Sequence, residues 1–134
     1  MKTNGHFQEP ENGIYAFQEG ALLRMYFDFE KCEVAKDEEG NEIEGAPKDL
    51  YNAYNVDVVS PFSYGNIVSA IVNDKYTADD VQALQANYIE AKDAESDISA
   101  EKREEYLAEW QEFQAWRAKA KDIAVTVLAQ IKTV

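Results

Sequence analysis

The feature that most constrains the fold is a change of hydrophobic period at Ser60-Pro61. Before this dipeptide apolar and polar residues alternate, as in LRMYFDF and YNVDV, and a period of two predicts half-buried β-strands. After it, apolar residues recur at helical spacing. Because strands come first and helices second, the sequence predicts an α+β fold with an antiparallel sheet, and it argues against alternating βαβ units.

The β-rich half is expected to form an antiparallel meander of three to four strands. A first short strand ends at a turn at Glu19-Gly20, and the next strand places four apolar residues on one face: Leu23, Met25, Phe27 and Phe29. The alternation slips near Lys31, which indicates a bulge or the end of the strand. A hairpin arm with a charged tip at Gly40-Asn41 follows, and then a strand with three residues in register: Tyr54, Val56 and Val58.

The domain organisation follows from the same patterns. Residues 1–12 are polar and are predicted to form an arm whose order depends on docking. Residues 13–134 are predicted to form a single domain, β-rich over 13–60 and helical over 61–134. At 134 residues in total, the chain is long enough for one hydrophobic core.

Three helices are predicted after Pro61. An apolar stripe marks the first over residues 64–74. The second starts at Thr77, an N-cap residue, with Asp80 at the third helical position as the partner in a capping box. Tyr76 and Val81 occupy the positions of a hydrophobic staple at this helix start.

The third helix is predicted from near Ser99 to Ile131 and has a wide apolar surface. One heptad-like stripe is formed by Tyr106, Trp110, Phe113, Arg117, Ala120, Ala124, Val127 and Ile131, and a flank is formed by Leu107, Trp116, Ile123 and Leu128. The pattern fits two contacts, one within the chain and one to another chain. It fits a single wide core face equally well.

Four residues of this helix are the candidates for partner binding: Trp110, Phe113, Trp116 and Arg117. Aromatic residues and arginine are enriched among interface hot spots, and these four lie within eight positions. Trp116 and Arg117 are expected to face outward, because Trp116 lies on the flank of the stripe and the arginine can extend its charged head to the rim. Core packing of the aromatic residues is the alternative interpretation.

Composition limits the remaining functions. The chain has 26 acidic and 13 basic residues, a net charge of −13, which disfavours binding to nucleic acids and anionic membranes. No apolar run approaches the ~18 residues of a membrane span, and a cytoplasmic location is expected. His6 and Cys32 are the only residues of their types, and neither has metal-ligand neighbours at useful spacing. We therefore expect no metal, no cofactor, no small-molecule substrate and no enzymatic activity.

The helical half resembles a family. The run KYTADDVQAL, an acidic spacer and the run EEYLAEWQEFQAWRAKAKDIA resemble the C-terminal helical module of small phage and prophage tail-region proteins, including tail-fibre assembly proteins. The resemblance covers roughly residues 62 to 128. The matching positions are Tyr76, Thr77, Asp79, Asp80, Ala83, Leu84, Phe113, Trp116 and Arg117. The shared motif is architectural, so it transfers no catalytic residue.

The resemblance implies a non-enzymatic phage-derived structural or tail-assembly protein that acts through protein–protein contacts. Its partner would be a phage structural protein or a second copy of the chain. It would be located in the cytoplasm of an infected or lysogenic bacterium, or in the virion. The acidic composition supports an alternative, a DNA mimic that inhibits a host nucleic-acid-binding protein.

Overall fold

The structure, a computed structural model, describes residues 2–6, 13–31, 37–41 and 50–132. Its elements are β1 (Lys2–His6), β2 (Ile14–Glu19), β3 (Leu22–Lys31), β4 (Leu50–Val59), α1 (Tyr64–Lys75), α2 (Ala78–Lys92) and α3 (Ala100–Lys132). Antiparallel strands come first and three helices follow, which confirms the predicted α+β fold. The last helix is the longest, with 33 residues, as predicted.

The strands form one antiparallel sheet in the order β1-β4-β3-β2. β2, β3 and β4 follow one another in the sheet as in the chain, and they are the predicted meander. β1 pairs with the outer side of β4, where Lys2 lies opposite Tyr54 and His6 opposite Leu50. The sequence interpretation of residues 2–6 as part of a polar arm did not anticipate this strand.

Two predicted turns lie within the described residues. At Gly20 φ is +61°, the sign that a type II′ turn requires at its first central position. In the charged tip, the Gly40 N–H donates to the Asp37 carbonyl at 3.0 Å, and the Asp37 Oδ1 accepts from the Asn41 N–H at 2.9 Å. The rest of the predicted hairpin arm lies outside the described residues, and so does Cys32.

One face of the sheet is apolar and buried. Leu23, Met25 and Phe27 are at most 1% exposed, and they lie opposite Val58, Val56 and Tyr54 of β4. The predicted core face of β3 is therefore confirmed for these three residues. The fourth predicted member, Phe29, is only half-buried.

A bulge separates Phe29 from this face. Phe27 lies opposite Tyr54 and Glu30 opposite Asn52, so β3 contains one residue more than β4 over this interval. Within the bulge Asp28 has φ of +54°, in the left-handed region that aspartate tolerates better than most residues. The bulge comes a few residues earlier than the slip predicted near Lys31.

The structure divides into two compact units. The first consists of Met1–Phe62 and Thr126–Val134, so it contains the sheet and the last residues of α3. The second is Ser63–Val125, which contains α1, α2 and the greater part of α3. We refer to them as the sheet unit and the helical unit.

In the sheet unit, the end of α3 is bonded to the edge of the sheet. The Gln130 side-chain N–H donates to the Ile14 carbonyl at 2.8 Å, and its Oε1 accepts from the Ala16 backbone N–H at 3.1 Å. β2 is the outermost strand on this side of the sheet. One side chain thus satisfies a donor and an acceptor of the β2 backbone, as a further strand would.

In the helical unit, each helix start is capped by a hydroxyl. Ser63 accepts from the third N–H of α1 at 3.2 Å, and Ser99 accepts from the Lys102 N–H at 3.1 Å. At α2 the Thr77 hydroxyl accepts from the Asp80 N–H at 3.1 Å, and the Asp80 carboxylate accepts from the Thr77 N–H at 2.9 Å. This reciprocal pair confirms the predicted capping box.

The segment between α2 and α3 is held by one arginine. The Arg103 guanidinium donates to the carbonyls of Ala91, Asp93 and Ser96. The bond to Ala91 satisfies a carbonyl in the last turn of α2, where carbonyls have no partner within the helix, and the other two bonds hold the connecting segment. Among the described helices, none has an apolar stretch that is long enough to span a membrane.

Candidate partner-binding site

Aromatic side chains connect the three helices of the helical unit. The Tyr88 ring of α2 stacks on Trp110 of α3 with centroids 4.8 Å apart, and Trp110 lies 5.5 Å from Phe113. Phe113 also makes an edge-to-face contact with Tyr76, which lies between α1 and α2, and their ring centroids are 5.1 Å apart. Trp110 and Phe113 are therefore fixed in position by neighbours on other elements.

Trp116 belongs to the core of the helical unit. It is 8% exposed, and its indole N–H donates to the Ile71 carbonyl of α1 at 3.0 Å. The Lys75 ammonium lies 4.6 Å from its ring centroid, a cation–π contact. The prediction that Trp116 faces outward is therefore wrong, because α1 covers the flank of α3 on which it lies.

Arg117, the adjacent residue, is exposed as predicted. Within the described residues its guanidinium forms no ion pair. It lies one helical turn from Phe113 and two turns from Trp110, so the three side chains are on one side of α3.

These three side chains line a groove of about 440 Å³ between the helices. We call it the Arg117 groove, and its lining residues are Val72, Asn73, Ala78, Val81, Gln85, Trp110, Phe113, Gln114 and Arg117. Phe113 is buried, Trp110 is half-buried and Arg117 is exposed. The wall is thus apolar at its base and polar at its rim.

A second groove, of about 360 Å³, lies on the other side of α2. We call it the Glu112 groove, and it is lined by Lys75, Tyr76, Asp80, Ala83, Leu84, Asn87, Glu109 and Glu112. It contains three carboxylates, whereas the Arg117 groove contains none. Burial raises the pKa of the Tyr76 phenol above its usual 10.0, and the negative charge of Glu112 raises it further.

The structure brings together three of the four predicted partner-binding residues. Trp110, Phe113 and Arg117 share the Arg117 groove, and Trp116 is not part of its lining. The contribution of α1 and α2 to the groove was not predicted. The staple position of Val81 was the available signal, because a hydrophobic staple fixes the angle at which the chain enters the helix.

The described residues contain no group of three or more His, Cys, Asp or Glu side chains arranged to bind a metal ion. Cys32 lies outside them.

Comparisons with models of known protein families, with characterised proteins and with solved structures found no match to this chain.

Proposed function

We propose that this chain is a non-enzymatic, phage-derived protein of the tail region that acts through protein–protein contacts, and that the Arg117 groove is its contact site. Support for the phage origin comes from the sequence resemblance over residues 62 to 128. Support for the contact site comes from the groove itself.

The observation that carries the proposal is the pairing of a half-buried Trp110 with an exposed Arg117 in one groove. Tryptophan and arginine are among the residues most enriched at interface hot spots, where truncation to alanine strongly lowers the affinity. Phe113 and Trp116 pack within the chain, so Trp110 and Arg117 are the members of the predicted set that retain surface for a partner. Because Arg117 forms no ion pair with the described residues, its guanidinium can donate to a partner's carboxylate.

The proposal is tested by measuring binding between the purified chain and each tail-fibre and baseplate protein encoded in the same genome. Size-exclusion chromatography with light scattering gives the stoichiometry, and calorimetry gives the affinity. The variant is Arg117→Glu. The control is Lys121→Glu, an exposed cation four residues later on the same helix that lies outside the groove and undergoes the same change of charge.

We expect one of these proteins to bind the wild type, Arg117→Glu to lower the affinity at least about tenfold, and Lys121→Glu to leave it unchanged. Equal affinity of both variants would place the contact elsewhere. If none of the tail proteins binds, the tail-assembly role is excluded. Mass spectrometry of purified particles would then show whether the chain remains in the virion.

A further inference from the structure

We infer that the Arg117 groove binds a segment of another protein that presents a bulky apolar side chain next to a carboxylate. This inference rests on the proposed function, because it specifies the partner of the same site. The charge of the groove, its apolar base and the contrast with the Glu112 groove support it.

The charges that line the Arg117 groove favour an acidic ligand. The Arg117 groove has one cation and no carboxylate among its nine lining residues, in a chain with twice as many acidic as basic residues. Its other polar side chains are the amides of Asn73, Gln85 and Gln114, which carry no charge. A carboxylate can therefore approach Arg117 without meeting a like charge in the wall and can accept two parallel hydrogen bonds from the guanidinium.

The size and the apolar base of the Arg117 groove favour one bulky apolar side chain. Val72 and Val81 are half-buried, and together with Trp110 they surround an apolar base closed by Phe113. A volume of about 440 Å³ is at the lower end of the range for binding pockets. It is suited to one large side chain such as Leu, Phe or Trp, and it is too small for a whole helix.

The charges of the Glu112 groove disfavour the same ligand. Its lining has three carboxylates, Asp80, Glu109 and Glu112, and one cation, Lys75, so negative charge is in excess. An acidic segment is repelled there and attracted at Arg117, so the pattern of charges directs it to one of the two grooves. Repulsion at the wrong site is a common source of specificity in protein recognition.

The probe is a display library of short random peptides, selected on the full-length wild-type chain. Individual selected peptides are then synthesised, and their affinities are measured by calorimetry for the wild type, Arg117→Glu and Lys121→Glu. We expect the peptides to contain Asp or Glu within two residues of Leu, Phe or Trp. We expect Arg117→Glu to weaken binding about tenfold and Lys121→Glu to have no effect.

A charge reversal makes the test specific. If the peptide carboxylate contacts Arg117, replacing that peptide residue by Lys should weaken binding of the peptide to the wild type. The same Lys peptide should bind Arg117→Glu more tightly than the original acidic peptide does. Circular dichroism checks the fold of Arg117→Glu, and we expect it to be unchanged because the substitution is at an exposed position.

The outcomes separate the two proposals. The selected peptides could be neutral or basic, with an affinity that Arg117→Glu leaves unchanged and Val81→Asp lowers. This result would show that the partner is not acidic, while the groove would remain the contact site. The absence of any peptide that responds to a groove substitution would overturn both. If the wild type alone is a dimer in light scattering and Arg117→Glu is a monomer, the occupant is a second copy of the chain, and the inference of a separate partner is wrong.

Discussion

Trp116 and Arg117 are neighbours in the sequence with different surroundings. The indole is packed against α1 and donates to the Ile71 carbonyl, whereas the guanidinium is exposed. We expect Trp116→Ala to lower the free energy of unfolding by about 3–5 kcal/mol, because it leaves a cavity and removes a buried hydrogen bond. Arg117→Ala should change it by no more than about 0.5 kcal/mol. Urea unfolding of both variants, followed by circular dichroism, measures the difference, and equal losses would contradict this assignment.

Tyr76 gives the chain a pH dependence at the alkaline end. Its pKa in the folded state is raised above 10.0 by burial and by Glu112, so the folded state holds the phenolic proton more tightly than the unfolded state. The corresponding stability is fully present below pH 10 and is lost as the pH rises through the folded pKa. We expect the free energy of unfolding of the wild type to fall more steeply above pH 10 than that of Tyr76→Phe.

Urea unfolding at a series of pH values measures this slope. The informative quantity is the difference between the wild type and Tyr76→Phe, because that difference isolates the contribution of the Tyr76 phenol. Glu112→Gln should reduce the slope in part, since Glu112 is the smaller of the two causes. Parallel curves for the wild type and Tyr76→Phe would show that the phenol has no raised pKa.

At the scale of elements, the parts that local sequence determines were predictable. The start of α2 depends on Thr77 and Asp80, three residues apart, and both predicted bonds of the capping box are present. The core face of β3 depends on the alternation of Leu23, Met25 and Phe27. Capping and alternation act within a few residues, so one sequence contains the information they need.

The features that were missed depend on distant segments. β1 has no apolar alternation, and its strand form comes from pairing with β4 about fifty residues later. Whether Trp116 is buried or exposed depends on the position of α1, and the apolar periodicity of α3 gives no information about that position. The same holds for the candidate site. Its residues on α3 could be predicted from the sequence, but the residues that α1 and α2 contribute could be identified only from the three-dimensional structure.

Gln130 illustrates a distant contact with a measurable effect. Its side chain bonds both the Ile14 carbonyl and the Ala16 N–H at the edge of the sheet, more than a hundred residues away in sequence. Unpaired edge groups promote pairing with other chains, and a side chain that occupies them protects the edge. We expect Gln130→Ala to cost about 1–3 kcal/mol for the two bonds and to speed amide hydrogen exchange at Ala16.

Gln130→Glu is the matched control. A carboxylate can still accept from the Ala16 N–H, but it cannot donate to the Ile14 carbonyl. Exchange at Ala16 should therefore be slower in this variant than in Gln130→Ala, as measured by NMR under identical conditions. Unchanged protection of Ala16 in Gln130→Ala would show that this side chain does not cover the edge.

At the scale of the whole molecule, excess negative charge is the dominant electrostatic feature. The net charge is −13, while the ion pairs formed by Arg24 with Glu19 and by Lys102 with Glu105 are exposed, each at 3.4 Å. Exposed pairs contribute about 0–1 kcal/mol each. We therefore expect repulsion among the excess carboxylates to outweigh these two pairs and to act against the compact state. The Arg117 groove differs from this overall balance, because its lining has one cation and no carboxylate.

This balance of charges predicts that salt stabilises the fold. Raising NaCl from about 10 mM to about 0.2 M shortens the screening length from roughly 30 Å to less than 10 Å, which weakens the repulsion between separated carboxylates more than the attraction within close pairs. We expect the midpoint of thermal unfolding to rise by about 3 °C, on the order of 1 kcal/mol for a chain of this length. Glu38→Gln with Glu39→Gln, in the exposed tip, should raise the midpoint at low salt and reduce its salt dependence. A midpoint that falls with salt would contradict this prediction and show that attraction within ion pairs dominates the electrostatics of the fold.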